Sequence, residues 1–579
     1  MSFFPGSILR VDLSGGRIAR EELSAGWELL GGRALSSAIL AAEVDPRCDP
    51  LGPDNKLILA PGLLASGLAS SAGRLSAGAK SPLTGTAKES NGGGMTAGRL
   101  ARAGIRALIV EGQVPRGGLA YLVIDGGESG EARLEDAAAL RGLGAYAAAA
   151  LLRGKYGPRA GLALVGPTAE AGFGSAGIAN TDFEGAPSRY SARGGLGAVM
   201  GRKGLKAVVI LGGRGGSSAD LTAADPDTWN PALKTYRKLL STLPTTAERY
   251  PRWGTASMLA NMDVRGGLPT RNFSAGSFEG TSRVDHFALD ALVKERGGRG
   301  TMTHACMSGC MVRCSNRVPD TDGEVLVSPL EYENMALLGP NFGLADLDGI
   351  CRLNRACNDL GLDAIEAGVA LGVAAEGGLL DFGDAGRALA LLESLAAARP
   401  QAPYLGEGAV ATGEALGVKR IPVVKGQSIP GYDPRVIKGN GVTYSTSPMG
   451  ADHTAGNLVG ATLDPAKHAE IVKASRESQI RAAMMDCLGL CNFTVAAVMA
   501  DPEVTAALVS GSLGRTVTVE ELQEAGKAAI RAELDFNRRA GFGAGDDRLP
   551  EFFRKEPLPP TGEVWDLPDE MLDGIWEDL

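Results

Sequence analysis

Cys306-Met-Ser-Gly-Cys310-Met-Val-Arg-Cys314 puts three cysteines within nine residues of a 579-residue chain that has only eight. A second stretch answers it far downstream: Asp486-Cys487-Leu488-Gly489-Leu490-Cys491. Three close thiolates and one distant one are a usual way to hold a cubane iron–sulfur cluster. Buried, inert cysteines are common in protein cores, but they rarely crowd like this. Four thiolates also suit zinc, yet no paired Cys-x2-Cys knuckle is present. The first and last gaps are both three residues, so the Cys-x3-Cys-x2-Cys of radical-SAM enzymes does not match. The fold must therefore bring residues 306–314 to residue 491.

The downstream stretch has a twin. Asn358-Asp359-Leu360-Gly361-Leu362-Asp363 also carries Leu-Gly-Leu followed by a residue able to act as a ligand. Each copy follows a helix-patterned segment, so Gly reads as a C-cap and Asp363 as an N-cap of the next helix. Two copies, one of them ending in the expected fourth cluster ligand, point beyond capping. Such acidic side chains and backbone amides can hydrogen-bond a ring ligand.

Polar glycine clusters supply a third signal. The chain has 82 glycines, about double the usual share. Gly73-Arg74, Lys80-Ser-Pro-Leu-Thr-Gly85, Ser90-Asn91-Gly92-Gly93 and Ser188-Arg189-Tyr-Ser-Ala192-Arg193-Gly194-Gly195 combine cations with sterically open backbone. Anionic phosphates need these groups. No Gly-x4-Gly-Lys-Ser/Thr is present, so this is not a P-loop.

Net charge is −9 and 44% of residues are hydrophobic. This is a globular composition without a nucleic-acid footprint. No apolar run is long enough for a membrane span, and no signal-like h-region follows the first residues. Cysteines gathered in motifs suit a reducing compartment, so a cytoplasmic location is the expectation.

Residues 1–211 read as a β-rich α/β base, with short apolar runs at Ile8–Leu13, Lys56–Ala60, Ala107–Glu111, Ala120–Ile124, Leu162–Val165 and Lys206–Leu211. Helical patterns fall at 33–42 and 137–155. Gly212–Ser218 reads as a linker. Beyond it, helical spacing dominates at 346–359, 364–377, 386–398, 467–485 and 519–540, with a Pro-rich break near 400–430. The expected class is α+β: the base, a helical domain over 219–405, and a second over 406–579. His453 and Glu333 sit in otherwise ordinary contexts; nothing in their spacing makes them catalytic.

Taken in order, these stretches resemble the tungsten-dependent aldehyde ferredoxin oxidoreductase family. The likeness extends through Gly31-Gly-Arg33, Leu268-Pro-Thr-Arg-Asn272, Glu331-Tyr-Glu333, Gly450-Ala-Asp-His453 and Asp547-Arg-Leu-Pro550. The resemblance implies tungsten, or molybdenum in a few members, held by two pyranopterins. It implies a [4Fe–4S] cluster on Cys306, Cys310, Cys314 and Cys491. The pterins fall to Asn358, Leu362, Asp363, Asp486 and Leu490. Their phosphates and a bridging magnesium fall to the regions of Arg74, Asn91, Gly92, Gly93, Ala192, Arg193 and Gly194. Glu333 and His453 would handle the proton and the carbonyl. The implied reaction oxidises an aldehyde to a carboxylate and passes electrons to ferredoxin or a small ferredoxin-like subunit.

The chain departs from the family pattern in three places. The first cysteine gap is three residues where two is usual. Asn358 stands where Asp is typical, and an amide can donate as well as accept. Arg352-Leu-Asn-Arg355 occupies the region of a Glu-x-x-His motif that binds a shared iron in some members, so no bridging iron is expected and an oligomer is left unsupported. Two other readings stay open: a low-potential reductase subunit acting on an aromatic or acyl thioester, and an electron-transfer subunit carrying a cluster only.

Overall fold

The computed structural model describes residues 6–66, 68–115, 117–126, 131–212 and 223–579; most of the linker expected at 212–218 lies outside them. The first half contains two six-stranded sheets. Strands β1 (Ser7–Asp12), β2 (Arg17–Glu21), β3 (Leu57–Pro61), β4 (Leu75–Lys80), β5 (Ala87–Gly92) and β6 (Ile105–Glu111) form the first, in the order β2-β1-β6-β3-β4-β5. Strands β7 (Ala120–Ile124), β8 (Ala132–Asp136), β9 (Gly161–Leu164), β10 (Ile178–Thr181), β11 (Pro187–Ser191) and β12 (Leu205–Ile210) form the second, in the order β8-β7-β12-β9-β10-β11. The two orders are the same. In each sheet one pair is parallel, β1 with β6 and β7 with β12. The base is an internal repeat of one β-sheet unit, which the sequence reading missed.

Helices fill equivalent places in each copy: α1 (Gly32–Glu43) and α2 (Thr96–Arg102) in the first, α3 (Ala145–Tyr156) and α4 (Leu196–Arg202) in the second. Alternation along the strands sends side chains to opposite faces. Leu57, Leu59, Leu108 and Val110 share one core with Leu122, Ile124, Val208, Ile210, α2 and α4. Ile58, Ala107 and Ile109 turn instead to Leu35 and Ile39 of α1. Tyr121, Val123, Leu162 and Val209 turn to Ala148 and Leu152 of α3. The central strands β3, β6, β9 and β12 are buried on both faces, which explains their continuous apolar runs. The helix expected over 137–155 divides into a 3-10 turn at Ala138–Leu140 and α3, because Gly142 takes φ +70° between them.

The second half is mainly helical. Its principal members are α5 (Pro226–Thr242), α6 (Tyr332–Leu338), α7 (Leu347–Leu360), α8 (Ala364–Glu376), α9 (Lys438–Thr446), α10 (His468–Leu488), α11 (Val495–Ala500), α12 (Pro502–Leu513) and α13 (Val519–Ala540). The packing is interleaved in sequence. Trp229 and Tyr236 of α5 share a core with Leu508 and Val509 of α12, and Val369 and Val373 of α8 pack with Val442 of α9, Phe553 and Trp565. Arg33 of α1 ties the halves together through two buried bonds to Glu533 of α13, at 2.8 and 2.7 Å. Such a bidentate pair fixes orientation, and removing one partner would strand a buried charge. Among the described residues no single helix is long and apolar enough to cross a membrane; α10 and the segment Asn492–Ala500 pass by length and composition only as a pair bent by 113°.

Candidate active site

Each copy of the sheet unit receives one Leu-Gly-Leu stretch on the loop after its fourth sheet position. In the first copy that loop is 62–74. The N–H groups of Leu63 and Leu64 donate to the carbonyls of Cys487 and Leu488, Arg74 N–H to Gly489, and Cys491 N–H to Ser71. In the second copy the loop is 165–177. Gly177 N–H donates to Gly361, Asp363 N–H to Ser175, and Leu362 bridges Ala176. Gly361 and Gly489 both cap their helices with positive φ, 83° and 72°. The backbones approach so closely that a Cβ on Gly62 would lie 2.0 Å from Gly489 N, and one on Gly166 2.0 Å from Leu360 O. Glycine is required at both contacts. These dockings make Asp486, Gly489 and Cys491 equivalent to Asn358, Gly361 and Asp363.

Around the first copy the cysteines gather. Ser71 Oγ lies 3.3 Å from Cys310 Sγ, and Gly73 N–H donates to Met307 Sδ at 3.2 Å. A Cβ on Gly93 would stand 3.5 Å from Cys306 Sγ and 3.9 Å from Arg74 Nη1. Cys306 and Cys310 share a hydrogen bond that, with burial, pushes the Cys306 thiol up while it pulls Cys310 down. Burial raises the Cys491 thiol, against the pull of Arg74. Cys314 is raised by burial and then by the nearby Glu331 and Cys491. Thus the structure brings residues 306–314 to residue 491. Among the described residues no three His, Cys, Asp or Glu side chains converge on a single ion. A cubane fits this donor set better, because it occupies the space between its thiolates and holds them farther apart than one tetrahedral ion does.

Arg74 pairs with Asn91, Nη2 donating to the Asn91 carbonyl at 3.0 Å and Nε to its side chain. Burial works against its charge, but Cys491, Cys306 and Asp486 outweigh it. Asp486 is pushed well above the usual carboxylate range by burial and by Glu89, against Arg33 and Arg74. Arg33 Nη1, 3.7 Å from Asp486 Oδ2, has no hydrogen-bond partner although buried.

The second copy differs. Asn358 donates from Nδ2 to Tyr146 Oη at 3.4 Å, and its carbonyl accepts from Tyr190 Oη. Asp363 caps α8 through Ile365 N–H and accepts from Arg193 Nε at 3.2 Å. Arg193 also donates to Ala451 O at 2.9 Å and Ser428 O at 2.7 Å. Its guanidinium is therefore a cross-brace, taken up by protein acceptors. Ala192 and Gly194 lie at the neighbouring turn, where Ala192 packs on Gly177. Arg189 lies in the same phosphate-friendly stretch but was not among the residues assigned to the phosphates. It is 7% exposed, and its Nε and Nη2 are buried without a partner. Opposite it in register, Asn180 Oδ1 is also unpartnered. Orphaned donors of a buried cation are costly; Arg189 pulls down the Cys306 and Cys314 thiols and the Asp182 and Glu331 carboxyls, so an anionic group beside the cysteine loop fits its free donors.

Glu333 and His453 meet beside this second copy. His453 Nε2 lies 3.5 Å from Glu333 Oε1, and Gly431 N–H donates to Glu333 Oε2 at 2.7 Å. Glu333 Oε1 and His453 Nδ1 are buried and otherwise unpartnered. Burial raises the Glu333 carboxyl above its usual value, opposed by His453 and the Gly431 amide. The rings of Tyr332, Tyr432 and His453 stand in series, centroids 4.8 and 5.8 Å apart. Beneath them Lys88 Nζ holds Asp452 at 3.1 Å. Burial disfavours the Asp452 charge, but Lys88, Arg193 and His453 keep the carboxylate ionised.

Comparison with known proteins agrees with this architecture. Residues 8–212 match the family model "Aldehyde ferredoxin oxidoreductase, N-terminal domain", and residues 231–577 match "Aldehyde ferredoxin oxidoreductase, domains 2 & 3". The chain belongs to the aldehyde ferredoxin oxidoreductase family. It is 32% identical to the tungsten-containing aldehyde ferredoxin oxidoreductases of Thermococcus kodakarensis and Pyrococcus furiosus, covering 96% of this chain and 92% of each relative. The aliphatic sulfonate oxidoreductase WOR-like subunit of Pyrococcus furiosus is 27% identical over 85% of this chain and 80% of its own length. Among solved structures, the active site complex BamBC of benzoyl coenzyme A reductase has the same fold, with TM-score 0.80 and 21% identity over 99% of this chain and 93% of that one.

Proposed function

We propose that this chain oxidises an aldehyde to a carboxylate and delivers the electrons, one at a time, to a ferredoxin or ferredoxin-like subunit. The observation that supports this most directly is the convergence of four cysteines, two Leu-Gly-Leu stretches and the Glu333–His453 pair on one region of a chain 32% identical to tungsten-containing aldehyde oxidoreductases. The cofactors of this reading are a tungsten (or molybdenum) bis-pyranopterin and a [4Fe–4S] cluster, with magnesium between the pterin phosphates. When bound, they supply a two-electron sink and a one-electron relay.

The chain's own residues have separate tasks. Cys306, Cys310, Cys314 and Cys491 hold the cluster. Asp486, Leu490, Asn358, Leu362 and Asp363 face the two pterins, and Arg74, Asn91, Gly92, Gly93 and Ala192 serve the phosphate side. Arg193 positions Asp363 rather than meeting a phosphate itself. Glu333 takes the proton of an attacking water; its raised pKa brings it toward the working pH of a general base. His453 donates to the carbonyl oxygen. The buried rings of Tyr332 and Tyr432 beside His453 keep bulk water away from the pair.

The test is anaerobic purification followed by metal analysis and an aldehyde panel with a viologen acceptor. Tungsten with about four irons per chain, and turnover of at least one aldehyde, is expected. A fully loaded protein inert to every aldehyde but active on an acyl or aromatic thioester would replace this reading with that of a reductase. Iron without tungsten or pterin would reduce it to an electron-transfer subunit.

A further inference from the structure

The proposed chemistry gives no task to one buried cation, Arg189. Its Nε and Nη2 are both buried without a partner. These two atoms form one edge of the guanidinium fork, so a whole bidentate edge is free. Among the described residues no carboxylate pairs with Arg189. A buried charge left in that state is costly unless something outside the chain completes it.

The fold fixes the side on which that edge lies. Arg189 of β11 stands opposite Asn180 of β10. Alternate residues of a strand share a face, so Arg189 faces with Asn180 and Ser191, while Tyr190 turns the other way, to Asn358. The shared face meets β5: a Cβ on Gly92 would lie 2.6 Å from Ser191 Oγ and 2.7 Å from Asn180 Nδ2. The next residue along is Gly93, whose Cβ would lie 3.5 Å from Cys306 Sγ. At the turn of the same hairpin, Asp182 Oδ2 is 3.6 Å from His304 Nε2, and the His304 backbone bridges Cys314. Arg189 therefore stands beside the cysteine loop. The Cys310 hydrogen bond and burial raise the Cys306 thiol, burial raises Cys314, and Arg189 opposes both.

The nearby carboxylates are spent on other donors. Asp182 Oδ1 accepts from the amides of Glu184, Gly185 and Ala186 at 2.8 to 3.0 Å, and Oδ2 accepts from Ser188 Oγ at 3.3 Å. Glu331 accepts from Thr255 Oγ1 and closes the capping box of α6. The free edge thus needs an anion that the side chains around it do not supply. A cubane held by four thiolates is anionic, and its reduction adds one electron while no bond forms or breaks. A cation that donates to its sulfurs stabilises the reduced form more than the oxidised one, which raises the potential.

We propose that Arg189 donates its free Nε–Nη2 edge to sulfur atoms of the iron–sulfur cluster on the Cys306–Cys314 side, and so raises the reduction potential of the cluster. The inference rests on the reading of the four cysteines as cluster ligands. Arg189 touches neither substrate nor pterin phosphate; its work is to set how readily the cluster takes an electron.

The experiment uses the anaerobically purified holoenzyme and reads the cluster directly, by redox titration followed in the EPR spectrum. In Arg189→Gln the midpoint should move to more negative potential by at least a tenfold change in the reduced-to-oxidised ratio, about 59 mV for one electron. Arg189→Lys keeps the charge and loses the fork edge, so its shift should be smaller and in the same direction. Lys473→Gln, at an exposed position on α10, should leave the midpoint where it is. Iron and tungsten per chain should match wild type in all three. A wild-type midpoint in Arg189→Gln with iron intact would overturn the proposal; if tungsten falls at the same time, the edge belongs to a pterin phosphate. Where neither Arg189 variant takes up iron, Arg74→Lys protein grown on arginine labelled with nitrogen-15 in its guanidinium is used. Pulsed EPR of its reduced cluster should still show a nitrogen coupling, and its absence would overturn the proposal. A wild-type chain without iron would instead overturn the functional reading, and iron analysis tells the two failures apart.

Discussion

The two copies of the sheet unit use one backbone frame for different chemistry. Both dock a helix C-terminus on the loop after the fourth sheet position, through two matching amide bonds and a glycine contact that leaves no room for a Cβ. At the equivalent positions, however, the first copy has Arg74, Asp486 and Cys491, and the second has Gly177, Asn358 and Asp363. On the proposed reading, duplication gives the frame two similar places for two similar ligands. Divergence explains how such a site acquires a direction. The Leu-Gly-Leu stretch on the first copy leads to Cys491, and that on the second to Asp363, which Arg193 links to the carbonyl before Asp452; the copies also cross over, since Lys88 of the first holds Asp452 and Arg189 of the second acts on Cys306 and Cys314. On the proposed reading, substrate chemistry belongs to one side of the frame and electron exit to the other.

The largest expected effect separates Cys491 from its counterpart Asp363. Cys491→Ala removes one of four thiolates and should abolish the [4Fe–4S] signal in the EPR spectrum of dithionite-reduced protein, as should Cys310→Ala. Asp363→Ala should leave the signal intact. Cys487→Ala should also leave it, since Cys487 packs in a small core with Ala34 and Ala529. A cluster lost in Cys487→Ala but kept in Cys491→Ala would reverse the assignment of the fourth ligand.

Next in size is the effect on the catalytic side. Glu333→Gln keeps the shape of the side chain and removes the base, and kcat should fall by about 10²–10⁴ with metal content unchanged. Burial holds the Glu333 carboxyl above its ordinary value, so the acid limb of the wild-type rate profile should rise with pH at a midpoint above the usual glutamate range. The sign follows from the charge: the base works only when deprotonated, and burial delays deprotonation to higher pH. That limb should vanish in Glu333→Gln. His453→Ala should cost about 10²–10³, the usual loss for one oxyanion donor, and the two effects should not multiply if they serve one transition state. A wild-type rate in fully loaded Glu333→Gln would remove the base from the mechanism.

Much of this arrangement could be read from the chain, and the failures have identifiable causes. The cysteine spacing and the paired Leu-Gly-Leu stretches pointed to residues that the fold does bring together. The capping roles of Gly361, Gly489 and Asp363 were also legible, because caps are local. The sheet duplication was not. β4 (Leu75-Ser-Ala-Gly-Ala-Lys80) and β10 (Ile178-Ala-Asn-Thr181) are buried but carry polar and small residues instead of an apolar run, so neither reads as a strand and their equivalence is invisible until pairing is known. The choice between Arg189 and Arg193 was equally closed to the sequence. Both lie in one phosphate-friendly stretch; only the fold decides that Arg193 spends its donors on Asp363, Ser428 and Ala451 while Arg189 keeps two buried and free.

The smallest predicted effect tests the divergence of Asp486 from Asn358. Asp486 is an acceptor beside Arg33 and Arg74, and its raised pKa marks a carboxylate that lacks enough donors among the protein groups around it. Arg33 Nη1 is unpartnered on the same side. A pterin N–H edge would complete that network from outside the chain. Asp486→Ala would then leave buried donors unmet, at a cost of about 1–3 kcal/mol, and should lower tungsten per chain measured by mass spectrometry. Asp486→Asn should cost less, since the amide oxygen still accepts and the change imitates the second copy. The reciprocal Asn358→Asp should cost occupancy too, because Tyr146 and Tyr190 supply hydroxyls there and, among the described residues, no cation bonds to Asn358 as Arg33 approaches Asp486. If Asp486→Ala and Asp486→Asn both load normally, the carboxylate serves only the ion-pair network with Arg33 and Glu533. The difference between the two copies at this position would then concern the joining of the halves and not the cofactor.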